Sequence, residues 1–231
     1  MTTLLSTTYF GPVQWYQKLY RSEEVQIEGW ESFQKQTYRN RCLIATTNGV
    51  QALTVPVERN HGDSPHDLRD AAITGTVPMI RSVRISDHGN WRHLHWNALQ
   101  SAYGESPFFE YYQDDIYPFF EKRWTFLLDF NEEIRQKICE LIDIQPKVGY
   151  TKDYVQNHGD SPHDLRDAAI TGTVPMIHDL REGIRPKHPA QDPDFTPKPY
   201  YQVYQQKHGF LANLSILDLL FNLGPESIFY L

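Results

Sequence analysis

The chain has 231 residues, a formal net charge of −7 and a sequence pI near 5.8. This length suits one large domain or two small ones, and it allows a sizeable buried core. An acidic chain lacks the basic footprint that nonspecific nucleic-acid binding requires, so we expect no nucleic-acid partner.

The sequence carries no segment typical of export or of membrane insertion. A basic segment followed by an apolar run is absent from its start, so we expect no signal peptide. No apolar stretch approaches the ~20 residues that span a bilayer. The two cysteines, Cys42 and Cys139, lie in unrelated contexts and are expected to be reduced thiols. These features predict a cytoplasmic protein without a membrane span.

The first elements along the chain are a helix and a short strand. Between Tyr9 and Tyr20, a Gly-Pro pair is followed by an apolar, aromatic run that is typical of a helix. Residues 25–28 then form a short run that favours a strand.

A hairpin is the clearest prediction in the first third of the chain. The Asn-Gly pair at 48–49 is a strong turn signal, and it lies between β-rich runs at 38–46 and 51–57. Arg39 and Arg41 are two positions apart in the first of these strands, so we expect both side chains to point to one face.

One 21-residue segment occurs twice without a single difference, at 60–80 and at 157–177. A solenoid would instead carry several degenerate repeats in tandem. In the first copy, Ser64 and Pro65 could begin a short helix, and such a piece is tolerated in a surface loop. We therefore interpret both copies as insertions into a single domain that spans residues 1–231. The copies hold four of the ten histidines, which weakens any argument from the histidine count.

Beyond the first copy the sequence is mainly helical. Residues 82–86 predict a strand, and apolar residues at helical spacing predict a helix at 91–102, with Gly104 as its stop. A strand at 200–206 follows a proline-rich loop. Further helices are predicted at 106–112, 115–123, 131–142 and 215–222, with Asn131 and Ser215 as caps of the last two. The predicted fold class is α+β, with a β-rich N-terminal third that contains a hairpin, followed by a mainly helical second half.

The segment around residue 90 holds candidates for acid–base chemistry. His93 and His95 lie about 200° apart around a helix, so they cannot share one metal ion, and no metal site is predicted. His95 falls on the apolar stripe of this helix, which also favours a position in the core. Asp87 could cap the helix or orient His88. We take Asp87, His88 and His95 as the acid or base candidates.

Two groups of cationic residues suggest an anion pocket. Arginine binds phosphate and carboxylate through paired hydrogen bonds, and the two groups would form a pocket if the fold brought them together. The alternative is a set of structural ion pairs with the many Asp and Glu residues. No phosphate-binding glycine loop and no nucleophile elbow is present, Cys42 is expected to be an ordinary buried thiol, and the cofactor is unknown. The candidate substrate-binding residues are Arg39, Asn40, Arg41, Arg181, Arg185 and Lys187.

The stretch TYRNRCLIATTNGVQALTVPVE at 37–58 resembles the WbqC-like family of bacteria. The aromatic-proline opening at 9–12, the Trp-containing helix with its Ser-Pro-Phe-Phe segment, the Asp-Leu-Arg motif at 179–181 and the terminal LSILDLLFNLGPES are also similar to it. The resemblance covers nearly the whole chain except the two copies. Many members carry His-Gln-Pro where residues 6–8 are Ser-Thr-Thr, and many carry Asn at Cys42. Asn40, Arg41 and Arg181 are the positions carried over as site candidates.

The resemblance implies a role in bacterial surface-polysaccharide biosynthesis, as for O-antigen and lipopolysaccharide. It suggests a transferase that moves an aminoacyl or acyl group to an activated, phosphate-bearing amino sugar. A noncatalytic binding or scaffold protein of the same pathway is the first alternative, and a metal-dependent hydrolase is the second. The oligomeric state is left open.

Overall fold

The computed structural model describes residues 2–58, 77–156, 177–187, 189–190 and 192–231. Most of both repeat copies lies outside these ranges, and so does the short helix predicted within them. In chain order the elements are β1 (Thr2–Ser6), α1 (Val13–Arg21), β2 (Glu24–Glu28), β3 (Arg41–Thr46), β4 (Gly49–Thr54), α2 (Trp91–Tyr103), α3 (Phe109–Ile116), α4 (Pro118–Glu121), α5 (Leu127–Leu141), β5 (Val148–Tyr150), β6 (Ile177–Asp179), α6 (Gln205–His208) and α7 (Ile216–Leu223), with 3-10 helices at Ile80–Ser82 and Gly224–Tyr230. The α+β class is confirmed.

Four strands form a parallel sheet in the order β5-β2-β1-β6. Leu4 and Leu5 are consecutive in β1 and point to opposite faces, yet both are buried. Elements therefore cover both faces of the sheet, as is usual for parallel strands. Of these strands, the sequence predicted only β2.

The strand order predicts at which edge of the sheet a ligand would bind. The chain leaves β1 for β2 on one side and later enters β6 on the other side of β1. In open parallel sheets, ligands bind outside the carboxyl ends of the strands at such a reversal. We call the residues that end or follow the strands there the carboxyl edge, namely Ser6–Thr8, Glu28–Glu31, Thr151–Val155 and Asp179–Glu182.

The predicted hairpin is confirmed as β3 and β4, with two corrections. Thr46 pairs with Gly49, so the two connecting residues are one position earlier than predicted, and Gly49 has a φ of 99° that suits glycine. Arg39 lies before β3 instead of within it. The prediction that Arg39 and Arg41 share one strand face is therefore wrong.

The helices follow the predicted pattern where the local signals are strong. α2 ends before Gly104 as predicted, and Ser215 caps α7 through a hydrogen bond from the Leu217 amide to its hydroxyl (3.3 Å). Asn131 is not a cap, because α5 begins at Leu127 and the buried Asn131 amide binds the Arg39 carbonyl (2.8 Å).

Two predicted strands are wrong. Residues 82–86 form the end of a 3-10 helix and isolated bridges. Residues 200–204 are irregular, and residues 205–206 begin α6. Within the described parts of the chain, none of the helices has both the length and the apolar character needed to cross a membrane.

The last residues of the first repeat copy belong to the fold. Ile80 is fully buried, and its amide donates to the Glu31 carbonyl (2.9 Å), while the Phe33 amide donates to the Pro78 carbonyl (2.9 Å). The last residue of the second copy, Ile177, pairs with Thr2 at the start of β6. The ends of the two identical copies therefore adopt different local structures, because each contacts a different segment of the chain.

Candidate functional site

Arg39 is buried at the carboxyl edge and is held there by Glu31. Its Nε donates to one carboxylate oxygen of Glu31 (2.8 Å), and its Nη2 donates to the other (2.5 Å). The same Nη2 donates to the hydroxyl of Ser6 (2.8 Å), and it lies 3.6 Å from the carboxylate of Glu182. With 2% of its side chain exposed, Arg39 is a structural partner of these groups.

Arg181 is held by two other carboxylates. Its Nε and Nη2 donate to Asp179, and its Nη1 donates to Glu28 (3.2 Å). Its Nη2 also donates to the carbonyl of Val155 (2.8 Å). Burial acts to lower the pKa of Arg181, but the hydrogen bonds and charge of Asp179 outweigh it and raise that pKa. The guanidinium is therefore held in its charged form.

Glu28 joins the sheet to the segment that follows β5. One oxygen of its fully buried carboxylate accepts from the Trp30 amide (2.9 Å) and from the Thr151 hydroxyl (2.7 Å). The other oxygen accepts from the Val155 amide (2.9 Å) and from Arg181. Since Arg181 also binds the Val155 carbonyl, the pair Glu28–Arg181 fixes both sides of one peptide segment.

A cleft of about 510 Å³ opens at the carboxyl edge, a volume within the usual range for small-molecule sites. Tyr154, Val77 and Met79 are about half exposed along its wall. The residues that line it are Trp30, Glu31, Ser32, Gln34, Val77, Met79, Tyr154, Arg181 and Glu182. A separate cavity of about 10 Å³ between Arg39 and Arg181 has room for about one water molecule.

The carboxylates at this edge outnumber the buried arginines. Glu28, Glu31, Asp179 and Glu182 all lie within ion-pair distance of Arg39 or Arg181. Glu182 also pairs with Arg185. The structure thus brings together three of the predicted cationic residues, and it surrounds them with acidic partners that the sequence did not reveal.

The other predicted binding residues lie elsewhere. The Asn40 amide donates to the Val55 carbonyl (2.8 Å) at the base of the hairpin, and Arg41 donates to the Thr54 hydroxyl (3.1 Å). Lys187 is exposed. None of these three lines either of the two cavities, and their role in binding stays a prediction.

Asp87 and His88 lie on the surface just before α2. The carboxylate of Asp87 accepts a hydrogen bond from Arg92, which lowers its pKa. The His88 amide donates to the Ser86 hydroxyl (3.1 Å), and its side chain is exposed. Neither residue lines the two cavities, so the acid–base role of both stays a prediction.

His95 lies in the aromatic core. Its Nδ1 is 2.9 Å from the Tyr9 hydroxyl, and the rings of Trp91 and Phe120 pack around it. Burial lowers the pKa of His95 to about 4. At neutral pH the ring is therefore neutral, and its acid–base role also stays a prediction.

The lowered pKa of His95 predicts loss of stability in acid. In the unfolded chain its pKa is about 6.5, so protonation favours unfolding as the pH falls from about 6.5 towards the folded value of about 4. We expect protonation of His95 to lower the free energy of unfolding by about 3 kcal/mol between pH 7.5 and pH 4, as measured by urea unfolding. His95→Gln should flatten the decline, whereas His93→Gln, an exposed change on the same helix, should keep it. Equal slopes in both variants would refute the assignment.

The described residues also include both thiols of the chain and side chains of the types that bind metal ions. Among the residues that the structure describes, no three His, Cys, Asp or Glu side chains are grouped to hold a metal ion. Both cysteines are buried, and burial raises the pKa of Cys42 strongly and that of Cys139 to about 11. Both therefore stay protonated at neutral pH.

The sequence missed Glu28, Glu31, Trp30, Tyr154 and Glu182 as residues of the candidate site. The run Glu28–Glu31 ends a predicted strand, which could have served as a signal. Tyr154 and Glu182 belong to no pattern of their own, since only the parallel sheet brings their segments to one edge.

Comparison with known proteins agrees with the resemblance. The uncharacterized protein Rv1507c of Mycobacterium tuberculosis (strain ATCC 25618 / H37Rv) is 29% identical to this chain over 206 residues, which cover 86% of this chain and 83% of that protein. No solved structure matches significantly. The sequence model of the WbqC-like protein family matches residues 7–230. The chain therefore belongs to the WbqC-like protein family.

Proposed function

We propose that this chain is a protein of bacterial surface-polysaccharide biosynthesis, and that it binds a sugar intermediate in the cleft at the carboxyl edge. The observation that carries the proposal is the composition of the cleft wall. Trp30 and Tyr154 supply aromatic surface, while Glu31, Gln34 and Glu182 supply hydrogen-bond acceptors and an amide. A sugar ring presents apolar C–H faces that pack on aromatic rings and hydroxyls that bind such polar groups.

The reaction we propose is transfer of an aminoacyl or acyl group from an activated ester or thioester donor to the amine of an amino sugar. The new C–N bond replaces the bond from the acyl carbon to the donor's oxygen or sulfur, which leaves as the alcohol or thiol. Such a transfer needs a base that accepts a proton from the attacking group. Glu182 is the more accessible carboxylate of the cleft, with 42% of its side chain exposed, whereas Glu31 is buried against Arg39. We therefore assign the proton acceptor to Glu182, and we place a phosphate of an activated sugar towards Arg185, which lies beside it.

A noncatalytic binding role is the second candidate function. It is favoured because Asp87, His88 and His95 do not line the cleft, and because both cleft carboxylates are already in ion pairs. If Glu182→Ala keeps the cellular glycan intact while loss of an aromatic wall residue does not, the binding role is supported over catalysis.

Tyr154→Ala tests the proposed function. An aromatic contact contributes about 1 kcal/mol to the binding free energy beyond the burial of its surface. With the lost surface included, removing it should weaken binding roughly tenfold. In a strain that lacks the gene, we expect wild type to restore the surface polysaccharide and Tyr154→Ala to restore roughly a tenth or less, measured by mass spectrometry of the glycan.

The matched control is Tyr111→Ala, because Tyr111 is another exposed tyrosine that does not line the cleft. This variant should restore the glycan fully. An unchanged glycan in the gene deletion would refute the pathway, and full restoration by Tyr154→Ala would refute the cleft as the site.

A further inference from the structure

We infer that the cleft selects an amine-bearing sugar, with its protonated amine directed into the cleft against Glu182 and Glu31 and any phosphate outside. This inference rests on the proposed function that the cleft binds a sugar. It adds that the group entering the cleft is positively charged, and it adds the orientation of the sugar in the cleft.

The charge of the lining supports an amine. Of the described residues that line the cleft, Glu31 and Glu182 are acidic and Arg181 is basic. The guanidinium of Arg181 lies against Asp179 and Glu28, so an anion that approached it would also approach their carboxylates. Like charges placed together oppose binding strongly, and opposite charges favour it.

The buried Arg39 holds both cleft carboxylates from behind. Arg39 does not line the cleft, and its two parallel hydrogen bonds fix the carboxylate of Glu31 in one orientation. Glu182 is oriented in a similar way, since it accepts from the Gln34 amide (2.9 Å) and pairs with Arg39 and Arg185. Acceptors that are held before binding lose little entropy when a cationic ligand arrives.

The aromatic residues of the wall are also held in place. The guanidinium of Arg81 lies 4.1 Å from the ring centre of Trp30, and that of Arg181 lies 5.0 Å from the ring centre of Tyr154. The indole of Trp30 donates to the Thr151 carbonyl (3.1 Å). The cleft therefore combines fixed aromatic surface with fixed negative charge, which suits the apolar face and the ammonium group of an amino sugar.

The test compares three probes with the full-length protein by calorimetry at pH 7 and low salt. They are the methyl glycoside of glucosamine, its N-acetyl counterpart, and glucose 1-phosphate. We expect the amine to bind about tenfold more tightly than either the N-acetyl sugar or the phosphate. Glu182→Gln should abolish the preference for the amine, while Glu110→Gln, an exposed change on α3, should preserve it.

Salt provides a second readout that needs no variant. Raising the ionic strength should weaken binding of the amine and leave the N-acetyl sugar unchanged, because only the amine is charged. Equal binding of the amine and the N-acetyl sugar, or tighter binding of the phosphate, would overturn this inference and leave the sugar site standing. Absence of binding by all three probes would overturn the proposed sugar site together with it.

Discussion

Replacing Glu28 by alanine is expected to lower the free energy of unfolding by about 3 to 5 kcal/mol, the usual range when one partner of a buried ion pair is removed. The change leaves Arg181 with less compensating charge, and it removes the acceptor of the Trp30 amide, the Thr151 hydroxyl and the Val155 amide. Urea unfolding followed by circular dichroism measures the loss.

Glu28→Gln keeps one acceptor oxygen and the shape of the side chain, so its loss should be intermediate. Glu226→Ala changes an exposed glutamate near the C-terminus and should stay within about 0.5 kcal/mol of wild type. If Glu28→Ala cost no more than Glu226→Ala, the role of Glu28 in joining the sheet to the segment after β5 would be refuted.

Asp218→Ala is expected to lower the free energy of unfolding by about 2 to 4 kcal/mol, because it leaves two buried hydroxyls without an acceptor. The carboxylate of Asp218 lies in α7 and is 1% exposed. It accepts from the hydroxyls of Tyr103 (3.0 Å) and Tyr200 (2.6 Å) and from the amide of Gln202 (2.8 Å). These bonds join α7 to α2 and to the segment before α6.

The pH dependence of this variant provides an independent check. Burial raises the pKa of Asp218 in spite of its three hydrogen bonds. The folded state therefore binds this proton more tightly than the unfolded state does. The resulting gain in the free energy of unfolding is present at low pH and is lost as the pH rises through the raised pKa. The difference between wild type and Asp218→Ala should widen as the pH falls. The exposed Asp114→Ala serves as control, and an equal loss in both variants would contradict the prediction.

Local signals predicted the elements that are stabilised locally. The hairpin, the helix α2 with its stop at Gly104, and the cap at Ser215 follow from turn, periodicity and capping residues within a few positions of each other. β5 and β6 have three residues each, too few to show a period. β1 is buried on both faces and therefore lacks the alternation that identifies a strand.

The error at Asn131 has a tertiary cause. An asparagine before two glutamates is a good capping signal, but the helix begins four residues earlier, and the amide of Asn131 binds the carbonyl of Arg39 in the interior instead. A single sequence does not reveal a partner that is 92 positions away.

By itself, the sequence determined the α+β class, the family and the identity of the two repeat copies, and it named Arg39 and Arg181 as candidate binding residues. Each of these depends on residue type or on neighbours along the chain. Only the tertiary structure decided what the arginines meet, because Glu28 and Arg181 are 153 positions apart and come together where β2, β1 and β6 end at one edge. The predicted cationic residues meet carboxylates there, since ion pairs form between segments that only the parallel sheet makes neighbours.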